Sequence, residues 1–327
     1  MSFSTKVKDE LSLHMSKARH CQLAELSAIL STGARISLSP AMIEVASEHK
    51  ALILKTEALL RELFHIHPRV IRRIGRGGSK VRQYKLKVQG EGYLRRILSE
   101  CGFLETNQEA YCLRAMMPDQ LLTRTCCERA YLRGAFLAGG SINDPTKNYH
   151  IEILNETQEQ AERLQRFLLD FDVESRVLER TRPGTSRITY VLYLKNSDQI
   201  VDVLRIIKAP ISLLELENVR VEKDVKNRIQ RRVNCEAANI NKTVEASVRQ
   251  TEAITYLMDE GLFSSLPDEL AEIAELRMDY PDMALKDLGV LLDPPISKSG
   301  VNHRLKKIIQ IAEDHKERKQ KTCKARK

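Results

Sequence analysis

The chain is poor in aromatic side chains: only 5% of its 327 residues are aromatic, and tryptophan is absent. A surface that stacks the bases of single-stranded nucleic acid needs such side chains, so the composition argues against one. The seven cysteines are odd in number and include no CxxC pair. The sequence therefore indicates neither a disulfide framework nor a zinc knuckle, and we expect no metal and no other cofactor.

Long apolar runs are also missing. No stretch of about 20 residues is apolar enough to span a membrane, and no charged-then-apolar leader follows Met1. We therefore expect a cytoplasmic protein in a reducing compartment, with no membrane partner.

Positive charge is in excess. The chain has 53 Lys and Arg against 44 Asp and Glu, a net charge of +9 and a pI of about 9.1, which favours a polyanionic partner without specifying it. The excess is concentrated in residues 298–327, which include eleven Lys or Arg and three acids. We expect residues 316–327 to be a disordered basic tail that adds salt-dependent affinity for phosphates.

A short basic helix is predicted within residues 296–309. Its apolar residues recur at the spacing of one buried stripe, formed by Val301, Leu305, Ile308 and Ile309. Ser297 or Ser299 supplies the N-cap oxygen. Two acidic helices are predicted before it, each ended by proline, and three short helices of which the last is basic are typical of a helix-turn-helix.

The last helix of such a unit reads the major groove of DNA. Asn302 and Arg304 are the best candidates to read base edges, whereas lysines favour phosphates, here Lys298, Lys306 and Lys307. The DNA contacts predicted in this unit are Lys286, Ser297, Lys298, Ser299, Asn302, His303, Arg304, Lys306 and Lys307. The alternative is a solvated basic helix that binds nothing.

An internal repeat relates two parts of the first two hundred residues. Cys21–Ile36 matches Cys127–Ile142 at a constant offset (127 − 21 = 106), which indicates a duplicated domain rather than a solenoid. Small residues recur in both segments, so we expect two helices that cross with their backbones nearly in contact.

Each copy has the same predicted order of helix, two strands, helix, two strands and helix. We therefore expect an α+β protein in which an αββαββα unit occurs twice and an all-α unit follows. In residues 82–89 apolar and basic side chains alternate, which predicts a sheet with one basic face. Possible contacts of this region with the DNA backbone are Arg73, Arg76, Lys80, Arg82, Lys85 and Lys87. A merely solvated face is the alternative.

Three segments, Tyr131–Ile142, Val233–Asn239 and Ile296–Leu305, resemble the WhiA family of bacterial proteins, and the resemblance covers nearly the whole chain. It implies a degenerate, duplicated LAGLIDADG-type domain, like that of homing endonucleases, followed by a helix-turn-helix domain. It also implies a nucleoid-associated, sequence-specific regulator of transcription that binds double-stranded promoter DNA. Such a regulator would act in sporulation, in cell division and chromosome segregation, or in both. Other transcription regulators or RNA polymerase would be further partners, and the oligomeric state is left open. A DNA-binding scaffold of the nucleoid or the division apparatus is the alternative.

Active homing enzymes place an acidic residue at the bottom of each crossing helix to hold a divalent metal. The matching positions here are Gly33 and Gly139. Asp144 is nearby in sequence, but its predicted place is in a turn. Because no carboxylate is available to Mg²⁺, we expect no enzyme activity, and an active homing endonuclease is the disfavoured alternative.

Five segments are predicted along the chain: a first repeat at 1–105, a second at 106–212, a helical connector at 213–258, a helix-turn-helix domain at 259–315 and a basic tail at 316–327. Within the connector, Asn234 and Asn239 predict a helix interruption or cap.

Overall fold

The computed structural model describes residues 1–74, 82–107, 110–181 and 188–324. They belong to two units, Met1–Lys223 and Asp224–Lys327. This boundary differs from those predicted at 105/106, 212/213 and 258/259, which stay predictions. Among the described residues, no helix is both long and apolar enough to cross a membrane.

The first unit begins with helix α1 (Phe3–Leu13) and then contains two copies of one arrangement. The first copy consists of α2 (Arg19–Gly33), β1 (Ala34–Leu38), β2 (Ala41–Ser47), α3 (Lys50–Phe64), β3 (Arg69–Ile74), β4 (Arg82–Gln89) and α4 (Glu91–Glu100). A hairpin of β5 (Leu104–Asn107) and β6 (Ala110–Leu113) separates the copies. The second copy consists of α5 (Thr125–Gly139), β7 (Gly140–Ile142), β8 (Ile151–Asn155), α6 (Gln158–Leu169), β9 (Arg176–Thr181), β10 (Ile188–Leu194) and α7 (Ser197–Ile206). Helix α1 and the hairpin are additions that the repeat does not predict.

Each copy folds its four strands into an antiparallel sheet. The strand orders are the same, β1-β2-β4-β3 and β7-β8-β10-β9. One face of the first sheet is buried through alternating residues, among them Ile43, Val45, Leu86 and Val88. The predicted α+β fold with a duplicated αββαββα unit is confirmed.

Helices α2 and α5 pack directly against each other. The backbones come close at Gly134 of α5, where an added Cβ would lie 2.3 Å from the backbone oxygen of Glu25 and 3.0 Å from the Cβ of Ala28. Ala24, Ala28 and Ala130 are at most 1% exposed. Small side chains therefore let the two backbones meet, as the sequence predicts.

A buried ion cluster connects the same two helices. Arg133 of α5 donates from Nε to Oε1 of Glu25 at 2.9 Å and from Nη2 to Oε2 at 2.8 Å, the two-point geometry that guanidinium and carboxylate favour. Lys55 of α3 places Nζ 3.0 Å from Oε1 of Glu25 and also donates to the carbonyl of His14. Burial and the neighbouring cations lower the pKa of His14 to about 4, so this imidazole is neutral at pH 7.

The second unit is helical. The part of α8 (Pro210–Asp259) that follows Lys223 belongs to it, together with α9 (Asp268–Asp279), α10 (Leu285–Val290) and α11 (Lys298–Lys324). Its core unites residues of all four helices: Ala253, Ile254, Leu257, Leu270, Ile273, Leu288, Val301, Leu305 and Ile308. The three predicted helices are therefore joined by a fourth.

Two predictions for the helical region are wrong. Asn234 and Asn239 do not interrupt α8, which continues from Pro210 to Asp259. Each of the two side chains instead contacts the side chain of the residue four positions earlier in the helix. Gln230 Nε2 donates to Asn234 Oδ1 at 2.8 Å, and Asn239 Nδ2 lies 3.8 Å from Sγ of Cys235. The expected disordered tail is instead helical to Lys324.

Two side-chain contacts join the end of α8 to the second half of α11. Lys319 Nζ lies 2.6 Å from Oε1 of Glu260, just after α8. The hydroxyl of Tyr256 is 3.0 Å from Nδ1 of His315. Both contacts join different elements, so the local sequence alone does not reveal them.

We expect Glu25→Gln to lower the free energy of unfolding by about 3–5 kcal/mol, because it leaves Arg133 and Lys55 buried without a counter-charge. The matched control is Glu215→Gln, since Glu215 pairs with Lys6 at 2.6 Å but both side chains are at least 40% exposed. That change should cost about 0–1 kcal/mol. Urea unfolding of the full chain measures both, and equal midpoints for the two variants would contradict the importance of the buried cluster.

Candidate nucleic-acid interface

A tight turn sets the start of α11 against α10. The backbone N–H of Ile296 donates to the carbonyl of Gly289 at 2.9 Å. A Cβ on Gly289 would lie 2.4 Å from the carbonyl oxygen of Ile296, so only glycine permits this approach. Ser297 Oγ then accepts from the N–H of Gly300 at 3.3 Å, which makes Ser297 the N-cap.

The faces of α11 divide as the sequence predicts. Val301, Leu305 and Ile308 are at most 1% exposed, and Ile309 is half-buried. The predicted DNA contacts that are exposed are Lys286, Ser297, Lys298, Ser299, His303, Lys306 and Lys307, whereas Asn302 and Arg304 are half-buried. The first turns of α11 therefore present polar and basic groups on the outside of a packed helical unit.

Arg304 has a partner within the protein. Its Nη2 lies 3.2 Å from Oε2 of Glu269 in the first turn of α9. Its Nη1 donates to the carbonyl of the same residue at 3.4 Å. The guanidinium predicted to read a base is thus held beside α9 in this structure.

A cleft of about 390 Å³ lies beside the start of α11. Lysines of three helices line it: Lys242 of α8, Lys286 of α10 and Lys298 of α11, together with Asn302. Beside them, the buried Arg277 donates to the carbonyls of Pro281 and Met283 at 3.1 and 2.9 Å and so supports the loop before α10. Lys242 is a candidate contact that sequence analysis missed, because only the tertiary fold brings α8 next to α11.

The sheet face predicted to be basic contains an acid. Glu44 of β2 lies opposite Lys87 of β4, and its carboxylate is 2.7 Å from Nζ of Lys85 and 2.9 Å from Nζ of Lys87. The hydrogen bonds from these two lysines hold the pKa of Glu44 at about 2. The sequence prediction of a basic face considered only the residues of β4. It therefore left out Glu44, which comes from the neighbouring strand β2.

The second sheet repeats this feature. Glu152 of β8 lies opposite Ser141, as Glu44 lies opposite Arg35 in the first sheet. Its Oε2 is 3.2 Å from Nη2 of Arg180. Each sheet therefore carries a carboxylate at the same place, paired with basic side chains.

Four other residues were predicted to contact the DNA backbone from the first sheet, and their side chains cannot be placed. Arg76 and Lys80 lie outside the described residues, as do the side chains of Arg73 and Arg82.

The C-terminal ends of the crossing helices carry no carboxylate, since α2 ends at Gly33 and α5 at Gly139. A Cβ on Gly139 would lie 2.5 Å from the carbonyl oxygen of Leu154, so an acidic side chain would need the backbone of β8 to move. Asp144 closes a turn as predicted: its Oδ1 accepts from the N–H of Thr146 at 2.9 Å and from the hydroxyl of the same residue at 2.6 Å.

Among the described residues, four potential metal ligands meet at the N-terminal ends of α2 and α5, namely His20, Cys21, Cys126 and Cys127.

Three family models match successive parts of the chain. A WhiA N-terminal LAGLIDADG-like domain matches residues 19–104, a WhiA LAGLIDADG-like domain matches residues 128–226, and a WhiA C-terminal HTH domain matches residues 229–312.

Relatives are similar along nearly the full length. The probable cell division protein WhiA of Alkaliphilus oremlandii is 42% identical over 316 residues, which cover 95% of this chain and 97% of that protein. The protein of the same name from Lachnoclostridium phytofermentans is 40% identical over 322 residues, which cover 96% and 99%. The crystal structure of full-length DUF199/WhiA from Thermatoga maritima has a TM-score of 0.58 at 23% identity and covers 96% of this chain and 99% of that one. At this identity the likeness shows the shared fold alone.

We expect Gly289→Ala to weaken the second unit by about 1–3 kcal/mol, because the new methyl group would force the turn before α11 to open. Hydrogen exchange measured by mass spectrometry should show lost protection in α10 and α11 but not in α2 or α5. The control is Gly300→Ala, whose Cβ would meet only the flexible side chain of Ile296 at 3.3 Å. If both variants retained wild-type protection, the close turn would not be what positions α11.

Proposed function

The chain belongs to the WhiA family, and from this premise we propose that it is a sequence-specific regulator of transcription that binds double-stranded DNA. Two LAGLIDADG-like domains and a helix-turn-helix domain, which the resemblance implies, are confirmed. We assign the chain to cell division, the process in the names of its relatives, with chromosome segregation and sporulation as the linked processes. We also assign it to the cytoplasm, at the nucleoid, with promoter DNA as its first partner and other transcription regulators or RNA polymerase as further ones.

The observation that carries the proposal is the outer face of the first turns of α11. It combines exposed lysines with groups that can both donate and accept hydrogen bonds, and it rests on a closed apolar core. Asn302 and Arg304 take the role of base readers, while Lys298, Lys306 and Lys307 contact phosphates. Lys286 and Lys242 share a cleft with Lys298, so their ammonium groups suit neighbouring phosphates of one strand.

Arg304 must exchange Glu269 for a base in order to read DNA. The ion pair is weak because the side chain of Glu269 is 75% exposed, and such pairs contribute only about 0–1 kcal/mol. A two-point contact of arginine with guanine discriminates by about 1–3 kcal/mol. Breaking the pair with Glu269 therefore costs little beside the discrimination that a contact with guanine would provide.

In this proposal the first unit binds DNA or a partner protein but does not cleave DNA. The helix ends at Gly33 and Gly139 provide no carboxylate for a hard cation. On the sheet, Lys85 and Lys87 are already paired with Glu44, which lowers the positive potential that this face offers to phosphates. Sequence choice is therefore assigned to the second unit.

We expect Arg304→Ala to reduce the preference for cognate over random duplexes by about 1–3 kcal/mol. Lys307→Ala should instead weaken binding to all sequences alike and reduce the slope of log affinity against log salt by about one. Fluorescence anisotropy with full-length protein over a salt series measures both quantities.

The control for Arg304→Ala is Glu269→Gln, which breaks the same ion pair but keeps the guanidinium. If Arg304 reads a base, Glu269→Gln should preserve the sequence preference. If both variants lost the preference equally, Arg304 would act through its contact with α9, and its assignment as a base reader would be wrong.

We expect no cleavage when the full-length protein is incubated with cognate and random duplexes in Mg²⁺ or Mn²⁺, because the helix ends lack carboxylates. Denaturing gel electrophoresis of end-labelled strands detects a single nick. Site-specific nicking that disappears in Asp144→Ala would contradict this expectation.

A further inference from the structure

Four potential metal ligands meet where the two crossing helices begin. His20 and Cys21 lie in the first turn of α2, and Cys126 and Cys127 lie in the first turn of α5. Their ligand atoms all lie within 4.8 Å of one another. The Nδ1 atom of His20 is 3.2 Å from Sγ of Cys127 and 3.3 Å from Sγ of Cys21.

The repeat explains this meeting. The match of Cys21 with Cys127 also aligns His20 with Cys126, so the four residues occupy two equivalent pairs of positions. Because α2 and α5 pack against each other, equivalent positions near their starts become neighbours. No local spacing such as CxxC could reveal the cluster, since each copy supplies only two adjacent ligands.

The proton on His20 can be placed from its neighbours. Arg124 Nη1 lies 3.3 Å from Nε2 of His20, and since arginine can only donate, Nε2 must accept. Nδ1 then carries the proton and directs it between the sulfur atoms of Cys21 and Cys127. Because sulfur is a weak acceptor, the hydrogen bonds that this N–H makes to the two cysteines are weak.

A redox role for these thiols is less well supported. Reactive cysteines lie in surroundings that are partly exposed to solvent. Cys21 is 6% exposed and Cys127 is 2% exposed, so oxidants reach them poorly.

We propose that His20, Cys21, Cys126 and Cys127 form a binding site for Zn²⁺ or a similar thiolate-binding divalent cation. Bond lengths of about 2.3 Å to sulfur and about 2.0–2.1 Å to nitrogen in a tetrahedron require ligand atoms roughly 3.5–3.8 Å apart. The ligand atoms already lie within 4.8 Å of one another, and the two N–S distances of 3.2 and 3.3 Å are close to the separation required. A cavity of about 550 Å³ lined by Cys21 and Cys126 gives the ion a path from solvent.

Metal binding changes the local charges in a defined way. The three thiols release three protons, and Nδ1 of His20 becomes a ligand while its proton moves to Nε2. Three thiolates and one divalent cation leave a charge of −1, which the guanidinium of Arg124 partly offsets once it no longer donates to Nε2. The bound ion would then join α2 to α5 at their N-terminal ends.

This site is separate from the position at which homing enzymes hold their metal. Both helices have 15 residues, so their two ends are roughly 20 Å apart. The cation would therefore stabilise the contact between the two copies rather than take part in DNA cleavage. The proposal does not depend on the DNA-binding role of α11.

The test is a titration of chelator-treated, fully reduced, full-length protein with Co²⁺ followed by Zn²⁺. We expect one equivalent of Co²⁺ per chain, with the visible bands of tetrahedral cobalt and a sulfur-to-cobalt charge-transfer band. Zn²⁺ should bleach these bands and raise the melting temperature. Absent bands, or only the weak bands of octahedral cobalt, would overturn the proposal.

Two variants connect the signal to the residues. Cys126→Ser changes an exposed side chain, so the fold should persist, and Co²⁺ affinity should fall at least about tenfold, equivalent to about 1.4 kcal/mol. The control is Cys235→Ser, an exposed cysteine of the second unit, which should bind like the wild type. Unchanged binding by Cys126→Ser, with circular dichroism showing a folded protein, would also overturn the proposal.

Discussion

The first unit depends on the contact between α2 and α5, and one carboxylate controls that contact. Gly134 removes the side chain that would hold the helices apart, so the backbones can meet. Glu25 then fixes how they meet, because its two oxygens must face the two nitrogens of Arg133 at 2.8 and 2.9 Å. Strand β1 follows α2 directly and β7 follows α5 directly, so the contact also sets where each sheet begins. Without this carboxylate, Arg133 and Lys55 would be buried with no counter-charge, so the contact between the two copies depends on it.

Acidic side chains from neighbouring elements determine which basic side chains are paired within the protein. On the sheets, Glu44 and Glu152 are paired with basic side chains at equivalent places. In the second unit, Glu269 holds Arg304. By contrast, Lys298, Lys306 and Lys307 are exposed and make no ion pair in the part of the chain that the structure describes. The first turns of α11 therefore present lysines with which no acid of the described residues forms an ion pair.

The sequence predicts those features of the fold that depend on local periodicity. The order of helices and strands follows from the alternation and the 3.6-residue stripes. For the N-cap of α11 the sequence leaves Ser297 and Ser299 as candidates, and the structure selects Ser297. Side-chain partners from other elements lie beyond such reasoning: Glu44 for Lys85, Glu269 for Arg304, and Glu260 for Lys319. The group of His20, Cys21, Cys126 and Cys127 can be predicted only in part from the sequence. The repeat aligns the four residues, but only the contact between the helices brings their ligand atoms together.

The most direct test of the account is a genome-wide footprint of the full-length protein in its own cells, compared with that of Asn302→Ala expressed at the same level. Asn302 faces the lysine cleft on α11 and takes no part in the core, so the variant should fold. A regulator whose sequence choice lies in α11 gives discrete promoter-proximal peaks for the wild type and loses them in the variant. Diffuse coating by the wild type, or the same peaks in both proteins, would contradict the account.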